Sequence, residues 1–132
     1  MELGLKLVSA EEDCCVLELP YREELVGNPE TGVLHGGVIT ALLDVTFCFA
    51  TLYRLSESRP MATLDLRIDY LKSATPGISV YAGAVCYKLT HRLAFIRGAA
   101  YHDNPHDPIS TGVGIYIFTD SVSPAKSEEQ SK

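Results

Sequence analysis

Basic residues are scarce in this sequence: 11 lysines and arginines against 17 aspartates and glutamates leave a net charge of −6. A nucleic-acid surface needs a clustered positive field, so no nucleic-acid partner is expected. A phosphate-bearing small molecule is not excluded, because a local basic patch is enough to hold it. Cysteines are also few. The four, Cys14, Cys15, Cys48 and Cys86, form no C-x-x-C pair. The adjacent Cys14 and Cys15 would point to opposite faces of a strand. All four read as buried free thiols in a reducing compartment. The first fifteen residues, MELGLKLVSAEEDCC, do not run a basic stretch into a long apolar one, as a secretory leader does. A cytoplasmic protein is the expectation.

No Pro/Gly linker or internal repeat divides the 132 residues, which suit one domain with one core. That domain is expected over residues 1–120, followed by a polar and disordered tail over 121–132, SVSPAKSEEQSK. Leu3–Ser9 and Cys14–Leu19 read as short strands, with turn chemistry in SAEED between them. YREELVGNPETG reads as a loop with a helical turn at Arg22–Val26. From Gly36 or Gly37 to Leu55 the chain is apolar nearly all round, the pattern of a helix buried on several sides. Pro60 forbids its continuation. The stretch Val38–Leu55 is long enough to raise the question of a membrane span. Asp44, Thr40, Thr46, Thr51 and Arg54 within it, and the strands after it, favour a buried helix with no membrane partner.

In MATLDLRIDYL, Leu64, Leu66, Ile68 and Tyr70 alternate with Thr63, Asp65, Arg67 and Asp69. A period of two predicts a strand with one buried face. Further strands are predicted at Ile78–Leu89, Leu93–His102 and Ile109–Thr119, joined by turns. Strands joined by turns make an antiparallel sheet. Small residues at Ala82–Ala84, Gly98–Ala100, Gly112 and Gly114 would let such a sheet curve tightly round the helix and approach it closely. The fold class is therefore α+β: an antiparallel sheet of five to six strands wrapped round one long central helix.

The chemistry concentrates in GVLHGGVITALLD, residues 32–44. The first N–H groups of a helix lack intrahelical partners, and the macrodipole favours negative charge there. Glycine lets a ligand carbonyl approach that backbone. Gly36 and Gly37 thus make an oxyanion site, unless they serve only packing or a turn. Asp44 lies seven residues beyond Gly37, on nearly the same face and roughly 10 Å away along the axis. Reacting groups must come within about 3–3.5 Å, so one subunit cannot use both on one carbon. Two antiparallel helices across a twofold can, which predicts two sites shared between the subunits of a homodimer. A plainer role for Asp44 is a bond to backbone, or a pair with Arg54, Arg67 or Arg97.

A loop Asn28, then His35-Gly36-Gly37 opening an apolar helix, then Asp44 nine residues after the histidine, then four strands: this order resembles the hotdog-fold acyl-CoA thioesterases of the phenylacetate (PaaI) type. The resemblance covers residues 5–119. It implies a sheet wrapped round a helix, a homodimer whose sheets join, and a homotetramer of two such dimers. It also implies hydrolysis of an acyl-CoA thioester without metal or cofactor, CoA being part of the substrate. In that pattern Asp44 matches the general base or nucleophile, and the backbone N–H of Gly36 polarises the thioester carbonyl. Asn28 and His35 match groups that hold the thioester, and Thr63 matches a Ser/Thr position that helps place the water. The segment NPETGVLH is one residue longer than the family's pattern.

The remaining candidates follow from charge and apolarity. For the CoA phosphates, Arg92 leads, with Lys72, Lys88 and His91 behind it and Gly37 beside the thioester. Ordinary solvated charges explain the same residues somewhat better. Leu43, Phe47 and Leu52 are candidates to line an acyl slot at a helix–helix interface. Cys48, on a buried helix with no basic neighbour in sequence, is a poor nucleophile. His102, Asp103, His106 and Asp107 lack the spacing of a zinc site, and Pro105 and Pro108 oppose a helix there. A non-catalytic acyl-CoA sensor on the same fold stays open as the competing function.

Overall fold

The computed structural model describes residues 5–10, 14–21, 26–28, 33–34, 36–55 and 57–122. The chain lays down β1 (Lys6–Ala10), β2 (Cys15–Leu19), β3 (Val26–Asn28), β4 (Val33–Leu34), α1 (Gly36–Leu55), β5 (Met61–Tyr70), β6 (Val80–Leu89), β7 (Leu93–Tyr101) and β8 (Ser110–Phe118), then a 3-10 turn, Thr119–Val122. The helix and the long strands fall within one or two residues of their sequence-predicted bounds. β3 and β4 pair into a small separate ribbon that the loop composition of this stretch did not suggest. Asp120, in the 3-10 turn, takes a bidentate bond from Arg59 at 2.8–2.9 Å. The rest of the expected tail, from residue 123, lies outside the described residues.

The large sheet is antiparallel with strand order β1-β2-β6-β7-β8-β5. β5 and β6 follow each other in sequence yet do not pair. The connection from 71 to 79 is too long for a tight hairpin, and it crosses the ends of β8 and β7 instead. The Leu71 and Lys72 amides donate to the Ile109 carbonyl at 2.8 and 3.2 Å. Further on, the Thr75 amide donates to His102 Nε2 at 2.8 Å, while His102 Nδ1 donates to the Ser79 carbonyl at 2.9 Å. Both nitrogens of the ring thus staple the crossing segment. Replacing His102 with Ala should leave the sheet intact and speed amide exchange at Thr75 by at least about tenfold, read by hydrogen exchange.

α1 lies on one face of this sheet, chiefly over β6, β7 and β2. By length and composition it could cross a bilayer, but Ile39, Leu42, Leu43, Phe47 and Ala50 are buried against the strands. Two fully buried threonines would be costly if left unbonded. Thr46 and Thr51 donate to the carbonyls four residues back, at 2.6 and 2.9 Å. Arg54, in the last turn, suits the helix dipole and donates to the Cys86 carbonyl at 2.5 Å.

The predicted close approach of helix and sheet is met by glycine. Gly98, Gly112 and Gly114 form a floor on β7 and β8 that receives the Phe47 ring. A methyl group at Gly98 would lie 2.8 Å from that ring and 2.4 Å from the Gly83 carbonyl oxygen.

Candidate active site

Asp44 is half-buried in the middle of α1. It pairs with none of the three arginines considered for it. Arg54 is bound to the Cys86 carbonyl, Arg67 sits beside Asp69, and Arg97 lies over the Tyr87 ring. Its partner is Tyr116 of β8, whose phenol donates to Asp44 Oδ1 at 2.5 Å and lies 3.2 Å from the Asp44 carbonyl oxygen. Among the described residues, Oδ2 takes no hydrogen bond. Tyr116 is 1% exposed. Burial first, and the bond to Asp44 second, push its pKa far up, so the phenol stays a donor at any working pH. Sequence reading missed Tyr116. The signal was available: the inward positions of β8 run Ser110, Gly112, Gly114, Tyr116, Phe118, and a tyrosine in such a series needs a partner for its hydroxyl.

Thr63 reaches the same neighbourhood by a route the alternation concealed. In unbroken alternation it shares the outer face with Asp65. The register shifts between them: Thr63 is opposite Tyr116, Asp65 is opposite Ile115, and Leu64 has no opposite number. Directly paired residues point to the same side of a sheet, so this bulge places Thr63 on the same face as Tyr116, where, on the edge strand, it stays exposed. The bulge leaves Leu64 58% exposed rather than on the buried face. Bulges re-aim side chains in this way.

At the other end of β5, Tyr70 holds the start of the helix. Its hydroxyl donates to the Gly36 carbonyl at 2.6 Å and also bonds Thr40 Oγ1. The first turn of α1 carries no acidic side chain that would compete for the positive end of the dipole. Among the described residues, a methyl group at Gly36 would meet nothing closer than Tyr70 Oη at 3.9 Å, and Gly36 has no positive φ. Its own packing therefore does not demand glycine there. A cavity of about 410 Å³ opens beside it, lined by Gly36, Ile39, Tyr70, Leu71, Lys72, Ser73, Ala74 and Ile109. A larger hollow of about 660 Å³ lies on the outer face of the sheet by Arg67, Arg97 and Val113. It holds none of the candidate reacting groups.

Gly36 and Asp44 lie on one unbroken helix, eight residues and so about 12 Å apart along its axis. They do not meet on one reacting atom within this chain. His35 lies outside the described residues. Asn28 ends β3, and its side chain is likewise outside them. Lys72 borders the Gly36 cavity and pairs with Asp107 at 2.9 Å. Lys88, His91 and Arg92 sit at the β6–β7 turn. That is the end of the sheet where β5 begins and β8 finishes, opposite Lys72 and Gly36. The basic candidates therefore form two groups at opposite ends of the protomer.

Leu43 and Phe47 do not present the open wall proposed for them. Both are 0% exposed inside this chain's own core, because their positions on the helix face the sheet. Leu52 is half-buried; by helical spacing it shares a side of α1 with Ala41, Val45 and Phe49, of which Ala41 and Val45 still pack in part against the core and Phe49 is 47% exposed. Cys48 is half-buried next to Tyr116, and burial raises its thiol pKa, so it is no better as a nucleophile than its sequence context predicts.

The sequence pattern of the thioesterase superfamily matches residues 31–109, a span that includes the HGG turn, Asp44, Thr63 and Tyr70. The chain belongs to the thioesterase superfamily. Among solved structures of such folds, a Pseudomonas aeruginosa protein is 45% identical, with a TM-score of 0.80 over 87% of this chain and 85% of its own. A variant of the phenylacetic acid degradation protein PaaI from Thermus thermophilus is 27% identical, with a TM-score of 0.74 over 88% of this chain and 94% of its own. The medium/long-chain acyl-CoA thioesterase YigI of Escherichia coli is 37% identical over 83 residues, 53% of this chain and 54% of its own length. The chain thus spans only about half the length of that curated relative. This thioesterase-superfamily domain is the α+β hotdog fold expected from sequence, one helix on a six-stranded antiparallel sheet.

Proposed function

We propose that the protein hydrolyses an acyl-CoA thioester to a free acid and CoA, at sites shared between two subunits. The observation that carries this reading is the pairing of a carboxylate and a helix N-terminus too far apart to serve one carbonyl in cis. Asp44 either activates a water or attacks the thioester carbon directly. In the water route, Asp44 takes the proton as the oxygen–carbon bond forms, and the carbonyl electrons move onto oxygen. The amide of Gly36 from the other subunit, at the positive end of its helix, stabilises that oxyanion. Collapse breaks the carbon–sulfur bond, and the proton passes to the departing CoA sulfur. Thr63 helps place the water, and Asn28 and His35 hold the thioester.

Several features support a dimer. β5 is an edge strand of ten residues, paired with β8 on one side and, among the described residues, with no strand on the other, and its neighbourhood exposes Leu64 at 58%, Tyr70 at 50% and Leu71 at 58%. Such an edge invites pairing with a second copy. An antiparallel β5–β5 seam would join the sheets and set the helices antiparallel. The outward side of α1, with Ala41, Val45, Phe49 and Leu52, would then wall the acyl slot. It would also carry the partner's Lys88, His91 and Arg92 towards the Gly36 end, where Lys72 already lies, as a set for the CoA phosphates. Tyr87 and Val113, each 45% exposed on the outer sheet face, favour a further pairing of dimers into a homotetramer. Four cysteines outside any disulfide fit a reducing compartment, the cytoplasm. No metal or cofactor enters this chemistry.

The test is thiol release over short, medium, long and aryl acyl-CoAs. Saturable hydrolysis of at least one class is expected. Saturable binding of every class with no thiol released would replace the enzyme with an acyl-CoA sensor.

A further inference from the structure

Tyr116 is not needed to assign Asp44 a role, yet its phenol is bonded to the carboxylate. We infer that Tyr116 is a positioning residue for Asp44: its phenol fastens Oδ1 so that Oδ2 alone faces the reacting water or thioester. The inference rests on the proposed role of Asp44 as base or nucleophile.

The geometry is specific. One hydroxyl lies 2.5 Å from Oδ1 and 3.2 Å from the main-chain oxygen of the same residue. A donor seated between them folds the carboxylate back along its own helix and removes a rotation about the side chain. Charge-assisted O–H···O⁻ bonds have this length. The donor is itself fixed. Its strand is bonded on both sides, to β7 and β5, and its ring abuts Gly114, where a methyl group would come within 3.2 Å of it. A group held on a strand interior is placed more accurately than one on a loop. The paired residue across the strand is Thr63, so one rung of the sheet aligns the carboxylate and carries the hydroxyl that places the water. Among the described residues, the titratable groups against Asp44 are Tyr116 and Cys48. Burial keeps both protonated, so neither adds a charge beside the carboxylate.

Tyr116→Phe keeps the ring and removes the donor. The expected result is a fall in kcat of about 10- to 100-fold, the scale of a misplaced reacting group, with KM within about twofold. A tie that served packing alone would lower the melting temperature and leave kcat where it was; that result overturns the inference. Asp44→Asn, assayed alongside, separates the two ideas. If it is inactive while Tyr116→Phe matches wild type, only the positioning role falls. If Asp44→Asn turns over normally, the role of Asp44 and this inference fall together. Should Tyr116→Phe not fold, 3-fluorotyrosine placed at 116 supplies a stronger donor. Drawing charge from Oδ1 should lower kcat with KM kept, and an unmoved kcat overturns the inference.

Discussion

Asp44→Asn should lower kcat by about 10²–10⁴-fold, the range that a positioned base or nucleophile supplies. Its melting temperature and oligomer size should be kept. The substitution is close to isosteric, and the amide oxygen can still accept the Tyr116 hydrogen bond, so the fold loses little. A second experiment asks where the rest of the site resides. Gly36→Val crowds the helix N-terminus with a branched side chain and should be inactive by itself. Mixed and reassociated with Asp44→Asn, it should recover activity. In a dimer of one subunit of each kind, the intact Asp44 of one chain meets the intact Gly36 of the other. Random exchange makes half the dimers mixed, each with one working site, so about a quarter of wild-type activity is expected for a twofold-shared arrangement. A mixture as inactive as its parents would show that each chain uses its own groups and would remove the basis of the shared-site reading.

The second large effect concerns stability. Gly98→Ala should cost about 3 kcal/mol or more, at the upper end of overpacking, and lower the melting temperature by about 10 °C. The added carbon would sit 2.4 Å from a main-chain oxygen of the neighbouring strand as well as 2.8 Å from Phe47, and a main-chain oxygen cannot step aside. Gly112→Ala should cost less. Its nearest contact, at 2.8 Å, is the end of the Ile68 side chain, which can rotate. Gly83→Ala should be nearly neutral, because its contacts begin at 3.6 Å. Thermal denaturation of the three variants checks the ranking. Equal losses would mean that strand glycines matter here for a general reason and not for the seat they give Phe47.

The elements were legible because their signals are local. The apolar run from Val38 and the stop at Pro60 define α1, and period-two patterns define the long strands. Strand order was less legible. Nothing in SATPG distinguishes a hairpin from a segment that climbs past two strand ends to His102. Register was least legible of all. The bulge at Leu64 is set by pairing with β8, and it reverses the facing of Thr63 without leaving a mark in MATLDLRIDYL. The site shows the same division. Asp44 and the glycines stood out by spacing along one helix. Tyr116, 72 residues from Asp44, meets it only through the sheet. Tyr70, counted as a buried-face residue, uses its hydroxyl to hold the first helical turn.

The glycine seat under Phe47 also bears on how this chain could change over time. Phe47 is one turn from Asp44, so its socket acts as a mechanical stop that fixes the height and rotation of the carboxylate. On the opposite side of the helix, Phe49 is 47% exposed and carries no such constraint. Drift or engineering of acyl preference can proceed there without moving the reacting group. Attempts to widen the slot by trimming Leu43 or Phe47 would instead disturb the alignment of the carboxylate and sacrifice rate for no gain in selectivity.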